Sequence, residues 1–421
     1  MIEKQPSCAD ENETGLLPVA TAVARVRELI TPIAESHTVG IREALNRVLA
    51  SDVISPIDVP GYRNSAMDGY AIYSDDIPDQ GESELRVIGT AWAGRPSDAD
   101  PQRGECVRIM TGAMMPQGCD TVVIQEHVRV EDSSIAIDDQ VEVGRNVREA
   151  GEDMQAGETV LVKGTRVRPA QLGLLASLGI AKVEVKRKPV VAFFTTGDEL
   201  RSLDEHAGEP LGAGELFDSN RYTLFGMLSR LGVDIIDLGV VPDDSERTRS
   251  AFLEATQHAD LVITSGGVSA GAADFVTQTL HEIGDVSFWK LAMRPGRPLA
   301  CGRVGDALFF GLPGNPVAVM VTFYEFVKPA IAQLMGCVDL DSPTVRVPCI
   351  SHLKKSRGRV EYQRGIYTCV DGEMQVITTG KQGAGRLSSM SAANCMIVLP
   401  AEVDTIEPGT LVDVQLFEGL V

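Results

Sequence analysis

ADLVITSGGVSAGAADF, residues 259 to 275, decides the fold. Leu261 to Thr264 reads as a buried strand that breaks into a Ser/Gly loop at Ser265, Gly266 and Gly267, with a helix expected to follow. Outward from it, VVAFFTT (190–196) and VDIIDLGVV (233–241) are further apolar strands. A helix is predicted between them near Arg221 to Leu231, with Asp218, Ser219 and Asn220 able to cap its start and Gly232 left-handed at its end. Strands alternating with helices from Pro189 to Leu334 predict a three-layer α/β/α domain around a mostly parallel sheet.

Ligands of open α/β sheets gather where the strands end. Backbone N–H groups of the loop through Ser265, Gly266, Gly267 and Ser269 suit a phosphate-like anion at a helix N-terminus. Taken alone, the loop serves equally well as a tight turn without a ligand. Asp274 falls in the first helical turn, where a carboxylate favours the helix dipole or, beside a phosphate loop, holds Mg²⁺. FFTTGDEL (193–200) adds Thr195, Thr196, Asp198 and Glu199 to the same rim, and GVVPDD (239–244) adds Asp243 and Asp244. FWKLAMRPGRPLACG (288–302) gathers Lys290, Arg294 and Arg297, with Pro295 and Pro298 stiffening the backbone. GLPGNPVAV (311–319) reads as a rigid turn entering a helix at Asn315 and Pro316.

The 421 residues, 44% of them hydrophobic, suffice for two to four domains. A net charge of −21 repels nucleic acid and anionic membrane surfaces, so an anionic ligand needs a local basic pocket. The polar, acidic N-terminus predicts a cytoplasmic protein. The longest apolar run, Ala307 to Val327, is broken by Gly311, Pro313, Gly314 and Pro316, so no membrane span is expected. Eight cysteines without a C-x-x-C pair argue against a thiolate zinc site and a disulfide framework. Leu16 to Leu49 is predicted mostly helical, since Ile41, Leu45, Val48 and Leu49 recur at helical spacing. Short β-branched runs from Leu85 to Val143 predict a β-rich domain, and IYTCV and EMQVITT, joined by Asp371 and Gly372, predict a hairpin in a C-terminal β-domain. VPGYRNSAMDGYAI, RIMTGAMMPQGCD and VREAGEDMQAG, which carry Asp68, Thr111, Arg148 and Asp153, read as polar loops with no assigned chemistry.

In this order, NSAMDGYA, RIMTGAMMPQGCD, GEDMQAG, TTGDEL, FDSN, TSGGVSAGAADF, FWKLAMRPGRP, GLPGNP and QRG resemble the MoeA family of molybdopterin molybdenumtransferases, which includes the C-terminal region of gephyrin. The resemblance implies four units: 17–35 with 188–341, an α/β molybdopterin-binding domain; 36–54 with 158–187, an elongated linker and dimerisation domain; 55–157, β-rich; and 342–421, a β-barrel. It implies a homodimer that takes adenylylated molybdopterin and molybdate, releases AMP with Mg²⁺, and leaves molybdenum on the dithiolene. The active cleft would be shared between subunits. By similarity one subunit supplies Glu199, Asp243, Asp274, Lys290 and Arg294, and the partner supplies Asp68, Thr111, Arg148 and Asp153. Asn220, Ser265, Gly266, Gly267, Ser269, Pro313, Gly314, Asn315 and Pro316 would hold the pterin substrate. Asp243 and Asp274 would hold Mg²⁺, and Arg297, Pro298 and Arg364 would hold molybdate. The family usually has lysine at Arg294 and Arg297 and serine at Ala318 and Ala384, which leaves molybdate or tungstate as the preferred oxyanion. The resemblance is also compatible with the upstream molybdopterin adenylyltransferase as a partner. Two other readings stand beside this one: a non-catalytic gephyrin-like scaffold, which would not need so many acids in one cleft, and the adenylyltransferase itself, which predicts a short single-domain chain.

Overall fold

The structure is a computed structural model that describes residues 15–203, 208–267, 275–339, 342–417 and 419–420. Ser269 and Asp274 lie outside the described residues.

Helix α1 (Val19–Glu28) buries Ala22 and Val26. The helical expectation for Leu16 to Leu49 holds only there. Strand β1 (Ser36–Gly40) follows, and residues 41–46 are turns ending at a left-handed Asn46, φ 65°, whose N–H donates to the Val167 carbonyl at 2.8 Å. Of the predicted face, Leu45 is 40% exposed, Val48 packs into the α/β core, and Leu49 packs with Ala44 on Val167, Leu175 and Val185, so no single helical face is buried.

After β2 (Val53–Ile54) come β3 (Asn64–Ser65), β4 (Gly69–Ile72), β5 (Glu82–Ala91), β6 (Glu105–Ile109), β7 (Thr121–Ile124), β8 (Arg129–Glu131), β9 (Ser134–Asp138) and β10 (Val147–Arg148). Six form one sheet, ordered β7-β4-β6-β5-β9-β8, as the short runs predict, and β10 pairs with β3 beside it. Both faces are covered: Tyr70 and Ile72 point into one apolar cluster and Ala71 into the other. A Cβ on Gly69 would lie 2.0 Å from the Val123 carbonyl oxygen, so only glycine lets β4 and β7 close up there.

Strand β11 (Thr159–Leu161) returns to β2. Beyond helix α2 (Pro169–Ser177), β12 (Lys182–Lys186) pairs with β1, so two distant segments share one small core. The α/β part then runs β13 (Val190–Thr196), β14 (Leu200–Arg201), β15 (Leu216–Phe217), α3 (Ser219–Leu231), β16 (Asp234–Val241), α4 (Ser245–His258), β17 (Leu261–Ser265), α5 (Phe275–Ile283), β18 (Gly284–Lys290), β19 (Met293–Arg294), β20 (Pro298–Val304) and β21 (Ala307–Leu312). Its sheet is ordered β16-β13-β17-β21-β20-β18, the first four parallel and β20 antiparallel to both neighbours. Phe193 and Ile263 face one core and Phe194 and Val262 the other, which is why these strands read as unbroken apolar runs. Helix α3 starts where the Asp218 carboxylate accepts the Arg221 N–H at 3.1 Å and stops at Gly232, φ 76°.

Helix α6 (Pro316–Leu334) starts at the last of the named breaks, as the GLPGNP turn predicts, and contains a π turn at Phe323–Val327. It is long and apolar enough to cross a membrane, but 72% of its most apolar stretch is buried inside the protein, as befits a core helix. Past it, β22 (Thr344–Cys349), β23 (Val360–Val370), β24 (Glu373–Thr378), helix α7 (Leu387–Ser391), β25 (Cys395–Leu399) and β26 (Thr410–Leu416) complete the chain. The order β23-β24-β22-β26-β25 returns to β23 and closes a five-stranded barrel, with β19 attached along β23. Asp371 and Gly372 turn the expected hairpin with φ 51° and 85°, as a two-residue turn with positive φ at both positions requires.

Candidate active site

Four segments meet where the parallel strands end. Asn220, in the first turn of α3 and 8% exposed, donates from Nδ2 to Ser265 Oγ at 2.9 Å and to the Gly314 carbonyl at 2.8 Å. Ser265 Oγ donates to the Pro313 carbonyl at 3.2 Å, and the Gly266 N–H to that of Leu312 at 3.2 Å. Glycine is required in this turn. Gly266 and Gly267 have φ of 95° and 64°, and a Cβ would lie 2.6 Å from the Thr196 carbonyl oxygen or 2.5 Å from Val276 Cγ2. Thr196 Oγ1 and Asn220 Oδ1 are buried without a hydrogen-bond partner at this crevice, which marks it as a place where a polar ligand has work to do. The Ser265, Gly266, Pro313 and Gly314 expected from the sequence are thus tied together through Asn220, while Asn315 and Pro316 start α6 immediately beyond.

Carboxylates crowd the neighbouring rim. Asp198 Oδ1 accepts the Asp243 N–H at 3.1 Å. The Asp243 carboxyl is pushed above the usual range by partial loss of solvent, then by the charges of Asp198 and Glu199, although its side chain still reaches water. Among the described residues no three His, Cys, Asp or Glu side chains stand together as a metal site. Asp198 belongs to this rim as much as Glu199 does. The signal in the sequence was its place in TTGDEL.

The basic side lies between sheet and barrel. Lys290 ends β18 opposite Pro298 of β20, and Arg294 Nη1 approaches Glu361 Oε1 at 3.4 Å where β19 joins β23. At Gly296 the loop lies on α6: a Cβ would come within 2.6 Å of Thr322 Cγ2 and 3.7 Å of the Ala318 carbonyl oxygen. The Ala384 carbonyl accepts the Val317 N–H at 3.0 Å, so a barrel loop caps the start of α6. Arg364 is fully buried and largely committed within the protein. Its Nε donates to Ser389 Oγ at 3.3 Å, and its terminal nitrogens donate to the carbonyls of Gln382 at 3.2 Å, Lys381 at 3.4 Å and Gly383 at 3.0 Å. Burial lowers its pKa to about 10, which leaves it cationic at neutral pH. Arg294, Glu361, Gln363, Arg364 and Gln382 line a crevice of about 290 Å³.

A second group sits in the β-rich part. Asp68 Oδ1 accepts both the N–H and the hydroxyl of Thr111, each at 2.7 Å, and these bonds hold its carboxyl below the usual range. Arg148 pairs with Asn64 between β10 and β3 and lines an open groove with Val59, Pro60, Glu152 and Asp153. The Asp153 N–H is anchored on the Val59 carbonyl at 3.0 Å. These bonds run among residues of the β-rich part itself: Asp68 is tied to Thr111, and Arg148 shares its groove with Asp153.

Comparison with known proteins places both groups in context. Residues 17–179 match a family model described as the MoeA N-terminal region (domain I and II), residues 192–333 a probable molybdopterin binding domain, and residues 346–417 the MoeA C-terminal region (domain IV). The chain is 41% identical over 408 residues to a molybdopterin molybdenumtransferase of Haemophilus influenzae, covering 96% of this chain and 100% of that one. It is 33% identical to gephyrin of Dictyostelium discoideum, covering 96% of this chain and 63% of that one. The crystal structure of a molybdopterin biosynthesis moeA protein from Pyrococcus horikoshii OT3 superposes with a TM-score of 0.83 at 30% identity, covering 96% and 100% of the two chains.

Proposed function

We propose, from the premise that this chain belongs to the MoeA family of molybdopterin molybdenumtransferases, a mechanism for an enzyme of molybdenum cofactor biosynthesis. Its substrates are adenylylated molybdopterin and molybdate, and its chemistry joins molybdenum to the dithiolene as AMP is released. The observation that carries this reading is the convergence of Asn220, Ser265, Gly266 and Gly314 on one crevice with buried, unpartnered polar atoms. Ser265, Gly266 and Gly267 present the loop to the pterin phosphate, joined by Ser269 outside the described residues, and Pro313 to Pro316 form the facing wall.

The acid rim fits a magnesium ion by its donor chemistry. Mg²⁺ takes hard oxygen ligands, commonly one or two carboxylates completed by phosphate oxygens, and the mutual repulsion of Asp198, Glu199 and Asp243 is relieved by a cation. Asp243 would hold it, with Asp274 outside the described residues. When bound, the ion supplies neutralisation of phosphoanhydride charge. Lys290 and Arg294 would add positive charge, and Arg297, Pro298 and Arg364 would receive the oxyanion.

The second group joins this cleft from another copy of the chain, so that Asp68, Thr111, Arg148 and Asp153 of one subunit complete the site of its neighbour. A homodimer follows. The seven described cysteines are all free, in keeping with a cytoplasmic place of work. The adenylyltransferase reading loses ground because the family match extends through the β-rich and barrel parts.

The test supplies purified protein with adenylylated molybdopterin, Mg²⁺ and molybdate, then with tungstate, and follows AMP and metal in the product. AMP release that depends on oxyanion is expected. Full-length folded protein that releases none under any of these conditions would favour the scaffold reading that the gephyrin likeness raises.

A further inference from the structure

Strand β24 ends its pairing with β23 at Thr378 opposite Gly365, one residue short of Arg364. The Arg364 carbonyl on that side still accepts the Thr379 N–H at 3.1 Å, but the Arg364 N–H would be buried without a partner, a costly arrangement. The side chain of Gln382 takes the place of the missing strand. Its Oε1 accepts the Arg364 N–H at 2.8 Å, and its Nε2 donates to the Arg364 carbonyl at 3.1 Å and to Thr378 Oγ1 at 2.8 Å. In return the Arg364 guanidinium donates to the backbone carbonyls of Lys381, Gln382 and Gly383. Each residue therefore holds the other's main chain with its side chain. This reciprocal clasp fixes a loop whose next residue, Ala384, offers its carbonyl to the Val317 N–H at the start of α6. A Cβ on Gly385 would lie 4.0 Å from Asn315 Oδ1, so the loop also reaches the GLPGNP turn.

We infer that Gln382 is a positioning residue for the oxyanion substrate: without touching it, Gln382 sets the direction of the Arg364 guanidinium and seats the 379–386 loop against the start of α6. The inference rests on the reading above that the Arg297 and Arg364 side of the cleft receives molybdate. An amide suits the place, because its oxygen accepts the Arg364 N–H that nothing else reaches while its NH₂ joins Thr379 at the Arg364 carbonyl. Glutamine also has the length to span the gap, which asparagine lacks by one methylene.

The test is Gln382→Met in the full chain, read in two ways. Hydrogen exchange of the amides at 379–386 should quicken, and KM for molybdate should rise about tenfold while kcat and KM for the pterin substrate stay within about twofold. Should Gln382→Met fail to fold, Gln382→Asn, which keeps a neutral amide but is one methylene too short, should show the same split. Exchange or molybdate KM like that of the wild type would overturn the inference, and so would a proportional loss of kcat and both KM values with a lower Tm. Wild-type protein without oxyanion-dependent turnover would sink the functional reading instead, a result independent of the exchange measurement.

Discussion

The crevice around Ser265 and the turn around Asp68 are built in opposite ways. Ser265, Thr196 and Asn220 are nearly buried on the ends of core elements, and the side chains of Ser265 and Asn220 are held by residues far away in the chain. Asp68 and Thr111 lie in loops at the surface of a β-sheet, held chiefly by one another. In the first region, stability and ligand geometry depend on the same bonds. In the second they separate, so a substitution there should change chemistry and spare the fold.

That contrast is open to attack by mutation. The largest effect is expected at Gly267, where alanine meets a left-handed backbone and a Val276 methyl group 2.5 Å away. Gly267→Ala should cost about 2–4 kcal/mol in urea unfolding and abolish turnover. Asn220→Ala strands the Gly314 carbonyl and leaves Ser265 Oγ without a donor. A loss of about 2 kcal/mol is expected, with a raised KM for the pterin substrate measured in steady state. Asp68→Asn should leave the urea midpoint where it was while lowering kcat by about a hundredfold. A midpoint that drops as far as for Asn220→Ala would erase the distinction between the two regions. The smallest effect concerns pH. Because the Asp68 carboxyl is depressed in the folded protein, its bonds to Thr111 add stability above the unfolded-chain value near 4, and lose it only as pH falls through the lower folded value. An NMR titration of this carboxyl should find its midpoint below that of an unstructured aspartate.

The same contrast explains what was legible in the sequence. Strands β13 and β17 are buried on both faces and so show as apolar runs, and α3 carries its cap at Asp218 and its stop at Gly232 within the local chain. The loops after those strands were therefore readable as a site. The helical expectation for 41–49 fails because its apolar residues go to different places, Val48 to the α/β core, Leu49 to a small core with Val167 and Val185, and Leu45 to the surface. The start of α6 was legible from Asn315 and Pro316, while the π turn inside it left no signal in the sequence. Gln382 left no local signal at all, since its meaning lies in a strand partner missing 18 residues earlier in the chain. Asp68, Thr111, Arg148 and Asp153 were legible only through family resemblance. Nothing in their spacing announces that Val59, Pro60, Arg148 and Asp153 line one groove, or that Asp68 closes a turn on Thr111.

The central claim is that the two regions complete one another across two copies of the chain, and mixing two crippled chains tests it most directly. Asp68→Ala and Glu199→Ala, each inactive alone, are co-refolded in equal amounts and assayed for AMP release. A cleft shared between copies predicts recovery of about one quarter of wild-type activity, because half of the dimers are mixed and each holds one intact site. No recovery in dimers shown to be mixed would contradict the account.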